Sequence, residues 1–336
     1  MKVLVTGNLG YVGQILTSKL IEKNIDVIGC DTGFYEYHLN SNDSKTLNKD
    51  IRDIDESDLK DCFAILHLAA LSNDPLGEIN SSLTNEINFL GTIHLAQLAK
   101  KAGVERFIYS SSCSTYGVND DIVDENSELS PITAYAKSKV DSEMELLKMK
   151  DENFHPVILR NATAYGYSPS LRLDIVVNNL TASAYSTGSV KLLSDGTSWR
   201  PLIHVEDMSK AFMMCLDAEI SKISGEVFNV GSNSENYTVK QIAKTVNDII
   251  PNSKIEFAED ASKDARSYKV NFDKIHKRLG FTNDWTISKG IKQIFEELKK
   301  QNFDEKDFKD KNFSRVAYIK WLLEKNIIDH NLRFND

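Results

Sequence analysis

Val3-Leu4-Val5-Thr6-Gly7-Asn8-Leu9-Gly10-Tyr11-Val12-Gly13 is the stretch whose reading decides the fold. A short β-branched and aliphatic run meets three glycines spaced G-x-x-G-x-x-G, and Val12, Ile15, Leu16 and Leu20 then recur at helical spacing. The pattern is a strand that stops in a turn too tight for a Cβ and enters a helix at once. Backbone N–H groups and the helix dipole make that helix start an anion site suited to a pyrophosphate. A second apolar run, Asp26 to Cys30, ends in Asp31. An acid at the tip of the second strand accepts hydrogen bonds from both ribose hydroxyls of an adenosine and repels a 2′-phosphate. Thr32-Gly33-Phe34 brings no Arg or Lys to receive one. The expected cofactor is therefore NAD rather than NADP.

The chain has 336 residues, room for one large domain with a smaller lobe or for two domains. Hydrophobic residues make up 41% and charged residues 26%, as in ordinary globular proteins, and the net charge of −9 argues against a nucleic-acid partner. Cys30, Cys62, Cys113 and Cys215 form no C-x-x-C pair, so neither a metal site nor a disulfide framework is expected, and the expected location is cytoplasmic. No signal-peptide pattern precedes the first strand and no apolar stretch is long enough to cross a bilayer, so no membrane partner is expected.

Strand-like and helix-like segments alternate up to about residue 160, which predicts an α/β fold with a doubly wound parallel sheet. Tyr37 to Leu47 reads as a polar turn-rich stretch, Ser81 to Ala102 as a long helix, and Pro131 as the first turn of a helix reaching Met149. Beyond Arg160 the alternation loosens. The expected division is 1–165 for the dinucleotide-binding part, with later segments returning to it, and 166–336 mostly for a smaller α/β substrate-binding lobe and C-terminal helices. Gln301 to Lys311 reads as a solvated linker. Phe313, Val316, Ile319 and Leu323 form one face of a last amphipathic segment, placed to pack on the body or on a second subunit.

Tyr135 and Lys139 stand one helical turn apart on a common face. A free tyrosine, with a pKa of about 10, is a poor base at neutral pH. A nearby ammonium favours the phenolate, and a cationic nicotinamide favours it further. The pair can then exchange a proton with a hydroxyl whose carbon exchanges a hydride with NAD. Ser110-Ser111-Ser112 closes the preceding strand and offers a serine within reach.

This combination resembles the extended short-chain dehydrogenase/reductase family, in its branch of nucleotide-sugar epimerases and dehydratases. The resemblance runs from Thr6 to at least Arg266. It implies a Rossmann-type sheet and a nucleotide-diphosphate sugar substrate. It also implies a cofactor site at Gly7, Gly10, Tyr11, Val12 and Asp31, with Asp50-Ile51 at the adenine and Leu68, Ala69 and Ala70 after His67. Asn88, Tyr135 and Lys139 complete that set, and Ser112 is the implied catalytic hydroxyl. His67 itself reads as a packed strand-end histidine. On the substrate side the resemblance implies Asn179, Arg200 and Arg266 at the diphosphate, with Arg172 a further candidate. A homodimer through the helices at 81–102 and 131–149 is implied as well.

Cys113 and Ser114 stand where the family's 4,6-dehydratases carry an Asp-Glu pair, which speaks against dehydration. The expected activity is an NAD-dependent epimerase with a transient keto sugar, at C4. A net dehydrogenase or reductase uses the same residues, and a non-catalytic NAD-binding sensor shares the same fold.

Overall fold

The computed structural model describes residues 1–35, 45–262 and 267–335. Seven strands form one wholly parallel sheet: β1 (Lys2–Thr6), β2 (Asp26–Asp31), β3 (Lys45–Asn48), β4 (Ala64–His67), β5 (Arg106–Ser112), β6 (His155–Asn161) and β7 (Val227–Val230). Their order is β7-β6-β5-β4-β1-β2-β3. The order reverses at β1, between β4 and β2, and a ligand crevice opens at such a switch point beyond the carboxyl ends of the strands. Val3 and Val5 point into one core and Leu4 into the other, so β1 is buried on both faces as a central parallel strand must be.

The helices that bear on the site are α1 (Tyr11–Glu22), α2 (Asp74–Gly77), α3 (Ala134–Lys148), α4 (Val176–Thr187), α5 (Val205–Asp217) and α6 (Arg315–Glu324). The chain after residue 165 does not stay in one lobe. α5 packs on α1, and β7 extends the main sheet beside β6. A separate core, built from Val177, Leu180, Ile242, Val246, Ile291 and Ile294, gathers α4 with the helices at Val239–Ile249 and Ile287–Lys300.

Three local expectations need correction, and the helix expected over 81–102 is observed with one irregular turn. Within Tyr37 to Leu47, the part from Lys45 belongs to β3, which pairs with β2 alone. An edge strand half-covered by one neighbour carries polar residues and so reads as turn. The helical run at 81–101 contains a π-helical turn at Glu86–Leu90. Pro131 lies ahead of α3, whose start is set by the Thr133 side chain accepting from the Ala136 N–H at 3.1 Å. Gln301 to Lys311 is not plain linker, since Asp304 caps a short helix at Glu305–Phe308 and Phe303 is buried.

Candidate active site

The glycine turn is built for close approach. Gly7 has φ +72°, which a side chain would strain, and a Cβ on Gly13 would sit 2.0 Å from the Gly7 carbonyl oxygen. Thr6 fastens this turn to the next strand end, its hydroxyl accepting from the N–H groups of Leu68 and Ala69 at 3.2 Å each and bonding His67 Nδ1 at 2.6 Å. His67 is fully buried, its other ring nitrogen bonds Thr92 at 2.8 Å, and burial lowers its pKa to about 3. It is a packed strand-end residue. Asp31 receives the Leu9 and Gly33 N–H groups at 3.1 and 3.0 Å, which aims its carboxylate across the turn.

One cavity of about 850 Å³ follows the carboxyl ends of the strands. At one end it is lined by Gly7, Gly10, Tyr11, Val12, Asp31, Asp50 and Ile51, and by Leu68, Ala69 and Ala70. Ser112, Tyr135 and Lys139 stand in its wall, and Asn179, Arg172 and Arg200 line it too. Arg266 lies outside the described residues.

Ser112 lies close enough to Tyr135 to favour its phenolate, and Ser112 Oγ accepts from the Ser114 N–H at 3.1 Å. Lys139 is buried, donates to the Ser110 carbonyl at 2.8 Å and lies 5.6 Å from the centre of the Tyr135 ring. Burial lowers its pKa to about 7, with Glu143 working against the shift. Lys139 thus stands beside the Tyr135 ring, anchored on the Ser110 carbonyl. Withdrawal from water pushes the phenol up, the Asp74 carboxylate adds to that, and the lowering influences are Ser112 and Arg172.

Behind this wall lies an ion pair. Arg160 donates to Glu143 at 2.7 Å from Nη2 and 3.0 Å from Nε, Ser111 donates to the same carboxylate, and Arg160 Nη1 donates to Tyr116 at 3.0 Å. Glu143 follows Lys139 by one turn of α3, so the pair joins the helix bearing Tyr135 to the strands bearing Ser112.

Several residues sit differently from expectation. Asn88 does not line the cavity; it clasps Leu71 through N–H and carbonyl at 2.8 and 3.2 Å and donates to Ser138 at 3.3 Å, one layer back. Asp50 is tied to Arg52 at 2.8 Å and to Arg333 at 3.4 Å. Arg172 is held by Asp174 at 2.8 and 3.1 Å and donates to Ser72 at 3.0 Å, within electrostatic reach of Tyr11, Tyr35 and Tyr135. Arg200 lines the cavity beside Lys191 to Ser194, Val239 and Tyr268, well along the chain from the glycine turn.

Three residues went unnoticed in the sequence. Asn178 bonds Gly166 on both backbone atoms and reaches Tyr11 at 3.2 Å, tying the glycine-turn helix to the start of the smaller lobe. Asp74 and Arg315 both line the cavity. Asn73-Asp74-Pro75 does carry a helix-start signature, and Asn73 caps α2 by accepting from the Leu76 N–H at 2.9 Å. Nothing local reveals that Asp74 stands beside Tyr135.

Comparison with known proteins places this geometry. The model of the NAD dependent epimerase/dehydratase family matches residues 3–231. The chain belongs to that family. It is 28% identical over 311 residues to a putative UDP-glucose 4-epimerase of Methanocaldococcus jannaschii, covering 89% of this chain and 99% of that one. It is 27% identical over 319 residues to UDP-glucuronic acid decarboxylase 4 of Arabidopsis thaliana, covering 90% and 70%. Among solved structures, MoeE5 in complex with UDP-glucuronic acid and NAD superposes with a TM-score of 0.80 at 26% identity, covering 90% of this chain and all of MoeE5.

The family is NAD-dependent, and the residues fit that cofactor: a turn that excludes Cβ atoms, an acid at the second strand tip and a continuous cavity between them and Tyr135. The argument against dehydration does not hold. A dTDP-D-glucose 4,6-dehydratase of Mus musculus is 26% identical over 327 residues, about as similar as the other relatives. The Cys113 thiol is buried and pushed above its ordinary pKa, yet a carboxylate enters the cavity from another element, at Asp74. Among the described residues no helix is long and apolar enough to cross a membrane.

Proposed function

We propose that the chain is an NAD-dependent nucleotide-sugar epimerase acting through a transient keto sugar at C4. The observation that carries this reading is the meeting of Ser112, Tyr135 and Lys139 in the wall of one cavity that runs from the glycine turn to Arg200. Tyr135 takes the proton of a ring hydroxyl, and Ser112 shares that hydroxyl and steadies the keto oxygen. Lys139, anchored on the Ser110 carbonyl, keeps an ammonium near the ring of Tyr135 when protonated. NAD held at the glycine turn and Asp31 would supply the acceptor and donor for the hydride. Arg200 and Asn179 serve the sugar-nucleotide diphosphate. Dinucleotide binding falls mainly to 1–165 and substrate binding mainly to 166–336.

In this reading the helices at 81–102 and 131–149 join two copies into a homodimer. Leu90 and Met144, 52% and 54% exposed on those helices, support it. The epimerase is tested by incubating the purified protein with nucleotide hexoses, without added NAD, and following the C4 epimer by NMR. Stoichiometric release of NADH instead indicates a net dehydrogenase. Asp74 favours one further reading, elimination, because a carboxylate lining the cavity near Tyr135 can remove a C–H proton made acidic by a neighbouring ketone. A 4-keto-6-deoxy product would establish it.

A further inference from the structure

The C-terminal segment lies beyond residue 231, where the family match ends. It does not remain with the smaller lobe. Ile319, Leu322, Ile328 and Leu332 join the core that contains Ile51, Leu71 and Leu83. The Phe334 ring packs on Phe34 at 5.3 Å and Tyr318 on Tyr35 at 5.7 Å. Arg333 pairs with Asp53 and lies 3.4 Å from Asp50, while Arg52 donates to the Asn331 carbonyl at 2.9 Å. The last turns of the chain are thus fastened to Phe34, Tyr35 and Asp50, which line the cavity.

Arg315, the first residue of α6, is the part of this segment that reaches the cavity. It is buried, its guanidinium carbon is 3.9 Å from the centre of the Tyr35 ring, and Nη2 donates to Ser170 Oγ at 2.6 Å. Its backbone N–H donates to Asp174 at 3.2 Å, which links it to Arg172. Arg172, Arg200 and Arg315 and the N-terminus of α1 therefore line one cavity in a chain whose net charge is −9. Guanidinium is the side chain suited to a diphosphate, and one already stacked on a ring loses little freedom when it binds.

We propose that Arg315 is a cofactor-binding residue and that the C-terminal segment is a strap retaining the dinucleotide in the cleft between turnovers. The idea takes the cavity as the NAD site and goes beyond the epimerase reading. It does not need epimerisation to be the reaction. A cofactor that must hand its hydride back to the same sugar gains from slow release, and the strap supplies that by blocking the exit and adding a cation at the anionic group. Arg333, outside the cavity, acts only by holding the strap down.

The test uses the full chain with NAD as the probe, measuring the release rate after dilution together with the melting temperature of NAD-free protein. Arg315→Ala is expected to release NAD at least about tenfold faster, the scale of a charge-assisted hydrogen bond. Arg333→Ala is expected to release it roughly threefold faster, as suits a partly exposed ion pair. Wild-type release from a folded Arg315→Ala protein, with only its melting temperature lowered, would make Arg315 structural and overturn the proposal. If that variant does not fold, Arg333→Ala decides, and unchanged release overturns the strap. Tight NAD without epimer formation would remove the epimerase reading and leave this one standing.

Discussion

Asp74 Oδ1 accepts a 2.6 Å hydrogen bond from Thr133 Oγ1, and Thr133 is the residue that caps the helix carrying Tyr135 and Lys139. A carboxylate is thereby held against the start of α3, close enough to Tyr135 to push its phenol up. The same geometry docks α2 on α3, where a Cβ on Gly77 would lie 3.0 Å from Tyr135 Cβ.

Asp74→Asn keeps an acceptor for Thr133 and removes the charge. A phenol freed of a neighbouring anion ionises at lower pH, so the limb on which turnover rises with pH should move down by on the order of one unit. A pH–rate profile of both proteins checks this, and an unmoved limb would detach Asp74 from the proton transfer.

Tyr135→Phe removes the hydroxyl that meets the substrate while leaving the glycine turn untouched. NAD affinity should stay within a factor of two or so, and turnover should fall roughly a hundredfold or more, the scale of lost general acid–base catalysis. Calorimetric NAD binding beside initial rates separates the two effects. Near-normal turnover would take Tyr135 out of the role assigned to it.

Glu143→Gln leaves the Arg160 guanidinium buried beside a neutral amide. Breaking one side of a buried ion pair typically costs about 3–5 kcal/mol, so urea unfolding should shift to clearly lower midpoint. Glu143 also opposes the burial that lowers Lys139, so Lys139 should hold its proton less well in the variant. An unfolding midpoint equal to that of the wild type would show that Arg160 finds another partner.

Glu235, buried in the smaller lobe, accepts from the Ile287 N–H at 3.0 Å, and burial raises its pKa to about 7. Its folded pKa lies above its ordinary value near 4.5. The stability it contributes is therefore complete below that ordinary value and is lost as pH rises through about 7. Glu235→Gln should melt increasingly above the wild type between pH 5 and pH 8. A constant difference across that range would mean that Glu235 ionises normally.

Much of the site was legible because its signals are local. Gly7, Gly10 and Gly13 act through backbone geometry within a few residues, and Asp31 through its place at a strand tip. Tyr135 and Lys139 share a helix face by spacing alone. Asn88 shows the limit of such reading: its place on the helix was anticipated, but its amide clasps Leu71 and Ser138 rather than lining the cavity. The Cys113-Ser114 argument failed for a related reason, since a motif reports only the carboxylates that its own element supplies.

From the order of its residues alone, this chain declares a strand, a glycine turn, a helix and an acid, because φ preferences, periodicity and short-range hydrogen bonds need no distant partner. Which charges face Tyr135, and whether Lys139 or burial governs its phenol, depends on chain segments brought together from α2, β5 and the loop before α4. The same holds for Arg315, which reaches the cavity because Ile319, Leu322 and Leu332 bury their apolar surface against the first half of the molecule. Solvent exclusion and electrostatics at the site are sums over neighbours in space, and those neighbours are chosen by packing.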